Sequence, residues 1–203
     1  MTNKIALFVC LIFLSLPAWS RGWKLQDAFN NIGLESQLGL NYSSMSGVGQ
    51  EGGSGLVGIR FGSMFVIPLT NEVHTKAGLF YSQNGASFQG ENSTFDLNIH
   101  YLQLPIWGKV SINQKNLNMI GGPQFGLLLH ASELEDGKKR NVTSMLNPLD
   151  IAANIGLEYE IRPNFLISTY YTIGLTDVTG NRENIKALLN SAVTFTMGYY
   201  FKL

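Results

Sequence analysis

From residue 192 to the C-terminus the sequence repeats every second position. Val193, Phe195, Met197, Tyr199, Phe201 and Leu203 are large and apolar, while Ala192, Thr194, Thr196, Gly198, Tyr200 and Lys202 between them are small or polar. A helix would scatter such residues around its circumference; only an extended strand gathers them on one greasy face. The segment before it has the same design, with Phe165, Ile167, Thr169, Tyr171, Ile173 and Leu175 against Ser168, Tyr170, Thr172 and Gly174. A third places Ile151, Ala153, Ile155, Leu157, Tyr159 and Ile161 against Asn154, Gly156, Glu158 and Glu160.

The first half of the chain agrees. Ile32, Leu34, Leu38, Leu40 and Tyr42 alternate with Gly33, Glu35, Gln37, Gly39 and Asn41, and Val57, Ile59, Phe61, Phe65 and Ile67 with Gly58, Arg60, Gly62 and Met64. Val73, Ala77, Leu79 and Tyr81 oppose Glu72, His74, Lys76 and Ser82. In the fourth segment Phe95, Leu97, Ile99 and Tyr101 set one apolar parity, and Leu102, Leu104 and Ile106 the other. A one-residue slip of this kind beside Pro105 predicts a β-bulge. The fifth segment, Leu117 to Leu129, holds Gly121-Gly122-Pro123 and is the least regular. Eight strands result, with no substantial helix and no second domain.

The connections alternate in length. Residues 43–54, 84–93, 131–149 and 176–191 read as long loops, and 70–71, 111–115 and 162–163 as short turns. Short periplasmic turns and longer external loops are the habit of outer-membrane barrels. Composition fits: 45% of residues are hydrophobic, only 14% are charged, and 14 basic residues balance 14 acidic ones. Such a chain is too apolar for disorder and lacks the basic excess of a nucleic-acid binder. Its mean hydropathy of +0.07 is high for a chain whose later segments contain no spanning helix.

Part of that hydropathy belongs to the N-terminus. Lys4, the apolar run Ile5–Leu16 and Pro17-Ala18-Trp19-Ser20 have the order of a secretory signal, too short to span a bilayer. The expected organisation is a signal peptide at 1–20, a periplasmic segment at 21–30 and a barrel at 31–203. Removing the signal takes Lys4 and the one cysteine, Cys10, leaving 13 basic and 14 acidic residues. An exported chain without disulfides needs another constraint on its fold.

Alternation alone does not distinguish a membrane barrel from a lipocalin-like soluble carrier with a greasy cavity. The polar face settles the expectation, because it combines glycines with charges of both signs: Glu35, Arg60, Glu72, Lys76, Glu158, Glu160 and Lys202. That mixture suits a narrow lumen filled by paired side chains. The apolar face carries aromatics near strand ends, among them Tyr42, Tyr81, Phe95, Tyr159, Phe165, Tyr171, Tyr199 and Phe201, as an aromatic girdle requires. In hydrocarbon an open sheet edge is prohibitively costly, so the first strand must pair with the last. The predicted fold is all-β, an eight-stranded antiparallel up-and-down transmembrane barrel with its lumen filled rather than open.

Tyr101-Leu102-Gln103-Leu104-Pro105-Ile106-Trp107-Gly108-Lys109, Gly121-Gly122-Pro123 with Gly126, Ile155-Gly156-Leu157-Glu158-Tyr159 and Gly198-Tyr199-Tyr200-Phe201 follow one another in the chain. In that order they resemble the PorT-like outer-membrane β-barrel family of the Bacteroidetes, a group with OmpA-like eight-stranded barrels. The resemblance covers nearly the whole mature chain; Gln103 departs from it, standing where the family usually has an acidic residue. It implies an integral outer-membrane barrel, and the family's founding member is associated with a secretion and gliding apparatus.

Candidate chemistry is sparse. The histidines are His74, His100 and His130. His130 with Ser132 and Glu133 superficially matches a nucleophile arrangement, but loop starts commonly contain such residues. His74, between Glu72 and Lys76, reads as a hydrogen-bond partner in the lumen. The Gly-rich stretch 48–58 has no Lys-Ser/Thr ending and opens no helix, so it is no phosphate loop. No catalytic, cofactor-binding or metal site is assigned. The expected partners are outer-membrane lipid and lipopolysaccharide, and protein partners at the external loops; nucleic acid is not expected. Lys138-Lys139-Arg140 in the longest loop reads first as a solvated tip, with contact to anionic lipopolysaccharide as the alternative. The function predicted is a non-enzymatic structural or docking barrel in the cell outer membrane, with a link to secretion machinery implied by the resemblance, the soluble carrier as alternative and a lipid-modifying enzyme as a distant third.

Overall fold

The computed structural model describes residues 31–47, 54–89, 94–112, 116–135, 137–179 and 188–203. The expected signal peptide and periplasmic segment lie outside the described residues. The chain forms β1 (Gly33–Gly47), β2 (Ser54–Pro68), β3 (Val73–Gln89), β4 (Thr94–Ser111), β5 (Leu117–Glu135), β6 (Lys138–Asn141), β7 (Leu149–Arg162), β8 (Phe165–Asp177) and β9 (Leu188–Lys202). All pairings are antiparallel between neighbours, β7 pairs with β5, and β1 pairs with β9 from Gly33↔Lys202 to Gly47↔Leu188. Eight strands therefore close a barrel. The ninth, β6, is a four-residue strand that folds back along the end of β5, on the edge that β7 pairs lower down.

The wall strands are 13–19 residues long, more than the roughly 9–11 needed to cross a bilayer with tilt. The excess changes the expected loops. Residues 84–89 and 94–99, expected in or beside a long loop, continue β3 and β4 as a paired ladder from Asn84↔Ile99 to Gln89↔Thr94. Likewise 131–135 extends β5 and turns back through β6, followed by a 3-10 turn at Thr143–Met145. The asymmetry between the two ends is thus carried partly by strands rising above the membrane band, since backbone groups there gain more from ladder bonds than from irregular exposure.

At the opposite end the turns are tight. Asn116 and Asn164 hold left-handed backbone (φ 58° and 74°), a conformation that asparagine tolerates. Their carbonyls accept from Glu160 N and Tyr200 N, at 2.9 and 2.8 Å, tying the turns to neighbouring strands.

The apolar faces point outward. Leu38, Tyr42, Val57, Phe65, Ile155, Phe195 and Met197 are exposed, whereas Glu35, Arg60, Lys76, Glu158 and Thr196 are buried inside. This inverts the soluble carrier: the greasy face is the outer surface and the lumen is polar. Two inward glycines face large rings across the ladder. Gly62 pairs with Phe80 and Gly156 with Tyr170; a Cβ at Gly62 would collide with the Phe80 ring and backbone, and one at Gly156 with the Thr169 carbonyl and the base of the Tyr170 side chain. A narrow barrel accommodates these aromatic side chains only where the partner has none.

The expected bulge beside Pro105 is absent. Inward burial in β4 runs without a flip through Ile99, Tyr101, Gln103, Pro105, Trp107 and Lys109. Ile99 and Tyr101 are fully buried with Met45, Ala86, Ala131, Val142 and Val178 in an apolar cluster at the external end. Leu97 packs against the same cluster. Phe95 is not in the girdle; it stacks on Phe88 at 5.2 Å. The mixed parity of the sequence arises because this end of the lumen has its own apolar core. The register shift is instead on the partner strand: His100 pairs with His130 and Tyr101 with Leu128, so Leu129 is the extra residue.

Candidate functional site

Inside the barrel, three carboxylates and two ammonium groups form one network. Lys76 on β3 contacts Glu35 on β1 at 2.6 Å and Glu158 on β7 at 2.5 Å. Lys109 on β4 contacts Glu158 at 2.8 Å and Glu160 at 2.9 Å. Alternation delivers each side chain inward from a different part of the wall, so the network cross-braces four strands. Lys76, Glu35 and Glu158 are at most 1% exposed, which makes their pairing obligatory, because an unpaired ion in such surroundings is severely destabilising.

Beside this network lies a layer of Met64, Phe80, Trp107, Ile120 and Tyr170. Arg60 spreads over the Phe80 ring at 4.3 Å and donates to Gln103 and, at 3.4 Å, to Gln124. Gln103 thus supplies the neutral acceptor for a buried guanidinium. Farther out, Asn41 Nδ2 donates to Asn84 Oδ1 at 2.7 Å, and Ser82 Oγ donates to the same oxygen at 2.8 Å. The apolar cluster around Ile99 and Tyr101 then caps the external end. Ion pairs, rings, amides and cap fill successive parts of the lumen.

Space remains at the periplasmic end, where a cavity of about 440 Å³ is bounded by His74, Lys109, Asn118, Glu160 and Tyr200 among others. His74 lies on the lumen side as expected, but its Nδ1 finds no hydrogen-bond partner among the described residues. The external end is anchored differently. Asp177 Oδ1 accepts from Thr179 N, Thr179 Oγ1 and Leu188 N at 3.0, 2.8 and 2.9 Å, bracketing the last external connection. Burial acts to raise the Asp177 pKa, yet these donors outweigh it and hold the carboxyl below its ordinary range.

The His130, Ser132, Glu133 grouping does not assemble as a relay. His130 Nδ1 meets Thr143 Oγ1 at 3.3 Å, and strand alternation turns Glu133 to the opposite face. Among the described residues, no three or more of histidine, cysteine, aspartate and glutamate gather as a potential metal centre. The basic run is divided as well: Lys138 pairs across from Glu135 and Arg140 from Glu133, while Lys139 lies opposite Leu134.

The family model for the outer membrane protein beta-barrel domain matches residues 22–180. The chain belongs to this barrel family. Among solved structures, the outer membrane protein beta-barrel chain is similar to Ail, the attachment invasion locus protein of Yersinia pestis, with a TM-score of 0.51 and 15% identity, over 83% of this chain and 98% of that one. It is also similar to Neisserial surface protein A, with a TM-score of 0.54 and 12% identity, over 82% and 96% of the two chains. At these identities the likeness concerns the fold, a closed outer-membrane barrel. No curated protein matches the chain.

Proposed function

We propose that this barrel works without catalysis, as a rigid outer-membrane platform whose external hairpins dock a protein partner. The observation that carries this reading is the filled lumen. The Lys76 and Lys109 ion pairs, the Arg60 layer and the apolar external cap occupy the path that a pore would need. What remains available is the surface above the membrane band, formed by the β3–β4 hairpin and the β5–β6 flap. The resemblance to PorT-like proteins supports a secretion apparatus as the class of partner. In this reading residues 1–20 are the export signal, and residues 21–30 begin the mature chain in the periplasm.

The test is photo-crosslinking in native membranes from Gln89 and Lys138 on the external hairpins, with Asn71 on a periplasmic turn as the paired site. Docking through the hairpins predicts a discrete crosslinked protein from the first two positions and none from the third. Crosslinks from Asn71 alone would overturn it.

A further inference from the structure

The outward face of β4 is apolar from Ile106 through Leu104 and Leu102, and then changes abruptly to His100, Asn98 and Asp96. The same boundary lies between Leu79 and Tyr81 on β3, and between Leu129 and His130 on β5. Such a boundary marks the external membrane interface, where amphipathic rings sit at headgroup level. Tyr81, His100 and His130 are joined there. Tyr81 Oη lies 2.5 Å from His100 Nδ1, and the two imidazole rings are 5.8 Å apart.

The bulge accounts for that assembly. Without the extra Leu129, alternation would turn His130 into the lumen; the added residue places it on the outer face directly across from His100. Bulges commonly re-aim a side chain in this way. Alternation in β6 then selects one cation. Lys138 and Arg140 turn toward Glu135 and Glu133, while Lys139 turns to the outer face and lies near enough to His100 to act on it electrostatically.

We propose that Tyr81, His100, His130 and Lys139 form a binding site for the phosphate of an outer-leaflet lipid. Both Nδ1 atoms are engaged, His100 by Tyr81 and His130 by Thr143, which leaves the Nε2 edges for a ligand. Lys139 favours an anion over a metal ion, and its ammonium together with the imidazole Nε2 edges supplies donors that phosphate accepts. Because the site opens sideways immediately above the apolar band, it suits a phosphate carried by a lipid, as in the lipid A portion of lipopolysaccharide. The ionisable groups on this face are Tyr81, His100, His130 and Lys139, with Asp96 four residues farther out on β4. The inference rests on the outer-membrane barrel and is independent of any protein partner at the hairpins.

The test uses the full mature chain in phosphatidylcholine vesicles doped with phosphorylated lipid A, or with dephosphorylated lipid A in a parallel arm. Lipid retained through detergent extraction is read by native mass spectrometry, and heat-modifiable gel migration verifies that each variant is folded. The phosphorylated form is expected to be retained, with Lys139→Ala and the double change His100→Ala, His130→Ala each reducing retention about tenfold, the loss of a charge-assisted hydrogen bond. Lys138→Ala, on the other face of the flap, should retain lipid like the parent. Equal loss in Lys138→Ala and Lys139→Ala, or equal retention of dephosphorylated lipid, would overturn the assignment.

Discussion

Replacing Lys76 by methionine keeps the length of the side chain and removes the charge that joins two buried carboxylates. Lys76 contacts Glu35 at 2.6 Å and Glu158 at 2.5 Å. After the substitution Glu158 still has Lys109 at 2.8 Å, whereas Glu35, 1% exposed, is left among the described residues with the Gln37 amide. Breaking a buried pair from one side costs about 3–5 kcal/mol, because the remaining ion is uncompensated. Most of that loss should sit on Glu35. Adding Glu35→Gln to Lys76→Met is therefore expected to recover about half of it, a coupling of roughly 2 kcal/mol or more in a double-mutant cycle. Equilibrium urea unfolding in phosphatidylcholine vesicles, followed by tryptophan fluorescence and by heat-modifiable gel migration, reads all four states. A Lys76→Met variant within about 1 kcal/mol of the parent, well below the buried-pair range, or additive losses in the double variant, would refute the obligatory ion network.

Other parts of the structure make separate predictions. Ile155, exposed on the outward face in the middle of β7, should cost about 2–4 kcal/mol when changed to arginine, against roughly 0–1 for Ile161→Arg near the periplasmic end; equal costs in vesicle unfolding would argue against a lipid-facing band. Gly156→Ala places a methyl against Tyr170 and the Thr169 carbonyl and should lower stability by about 1–3 kcal/mol as overpacking, measured in the same assay; a neutral effect would contradict the glycine-to-ring fit. At Asp177 the carboxyl is held below its usual range by the Thr179 and Leu188 donors. Its contribution should be fully present above the ordinary carboxylate pKa and disappear only as pH falls through the lowered one. Amide exchange at Leu188 checks this, and Asp177→Ala should remove the protection at every pH.

The lipid-facing side was legible from sequence because lipid solvates every second residue over a whole strand. Val193, Phe195 and Met197 have no other way to be satisfied together. The same reasoning failed at Phe95, Ile99 and Tyr101, where the external cap makes the lumen side apolar too, and period two does not say which of two apolar faces is inside. The ion partners were not legible either: Lys76 and Glu158 are separated by 82 positions, and their meeting depends on barrel closure and stagger. Nor was the bulge at Leu129, since it exists only relative to the register of β4. The charge count did anticipate pairing in the lumen, and the basic run 138–140 was visible, but only the β6 ladder shows that Lys139 parts from its neighbours.

The central claim is that odd positions of β9 meet lipid and even positions meet a filled lumen. It is tested most directly by single cysteines at Phe195 and Thr196, each labelled with an environment-sensitive fluorophore in the folded protein and challenged with spin-labelled lipid. The structure predicts strong quenching at 195, where the native side chain is 48% exposed, and little or no labelling or quenching at 196, where it is 1% exposed. Quenching at 196 with 195 protected would contradict it.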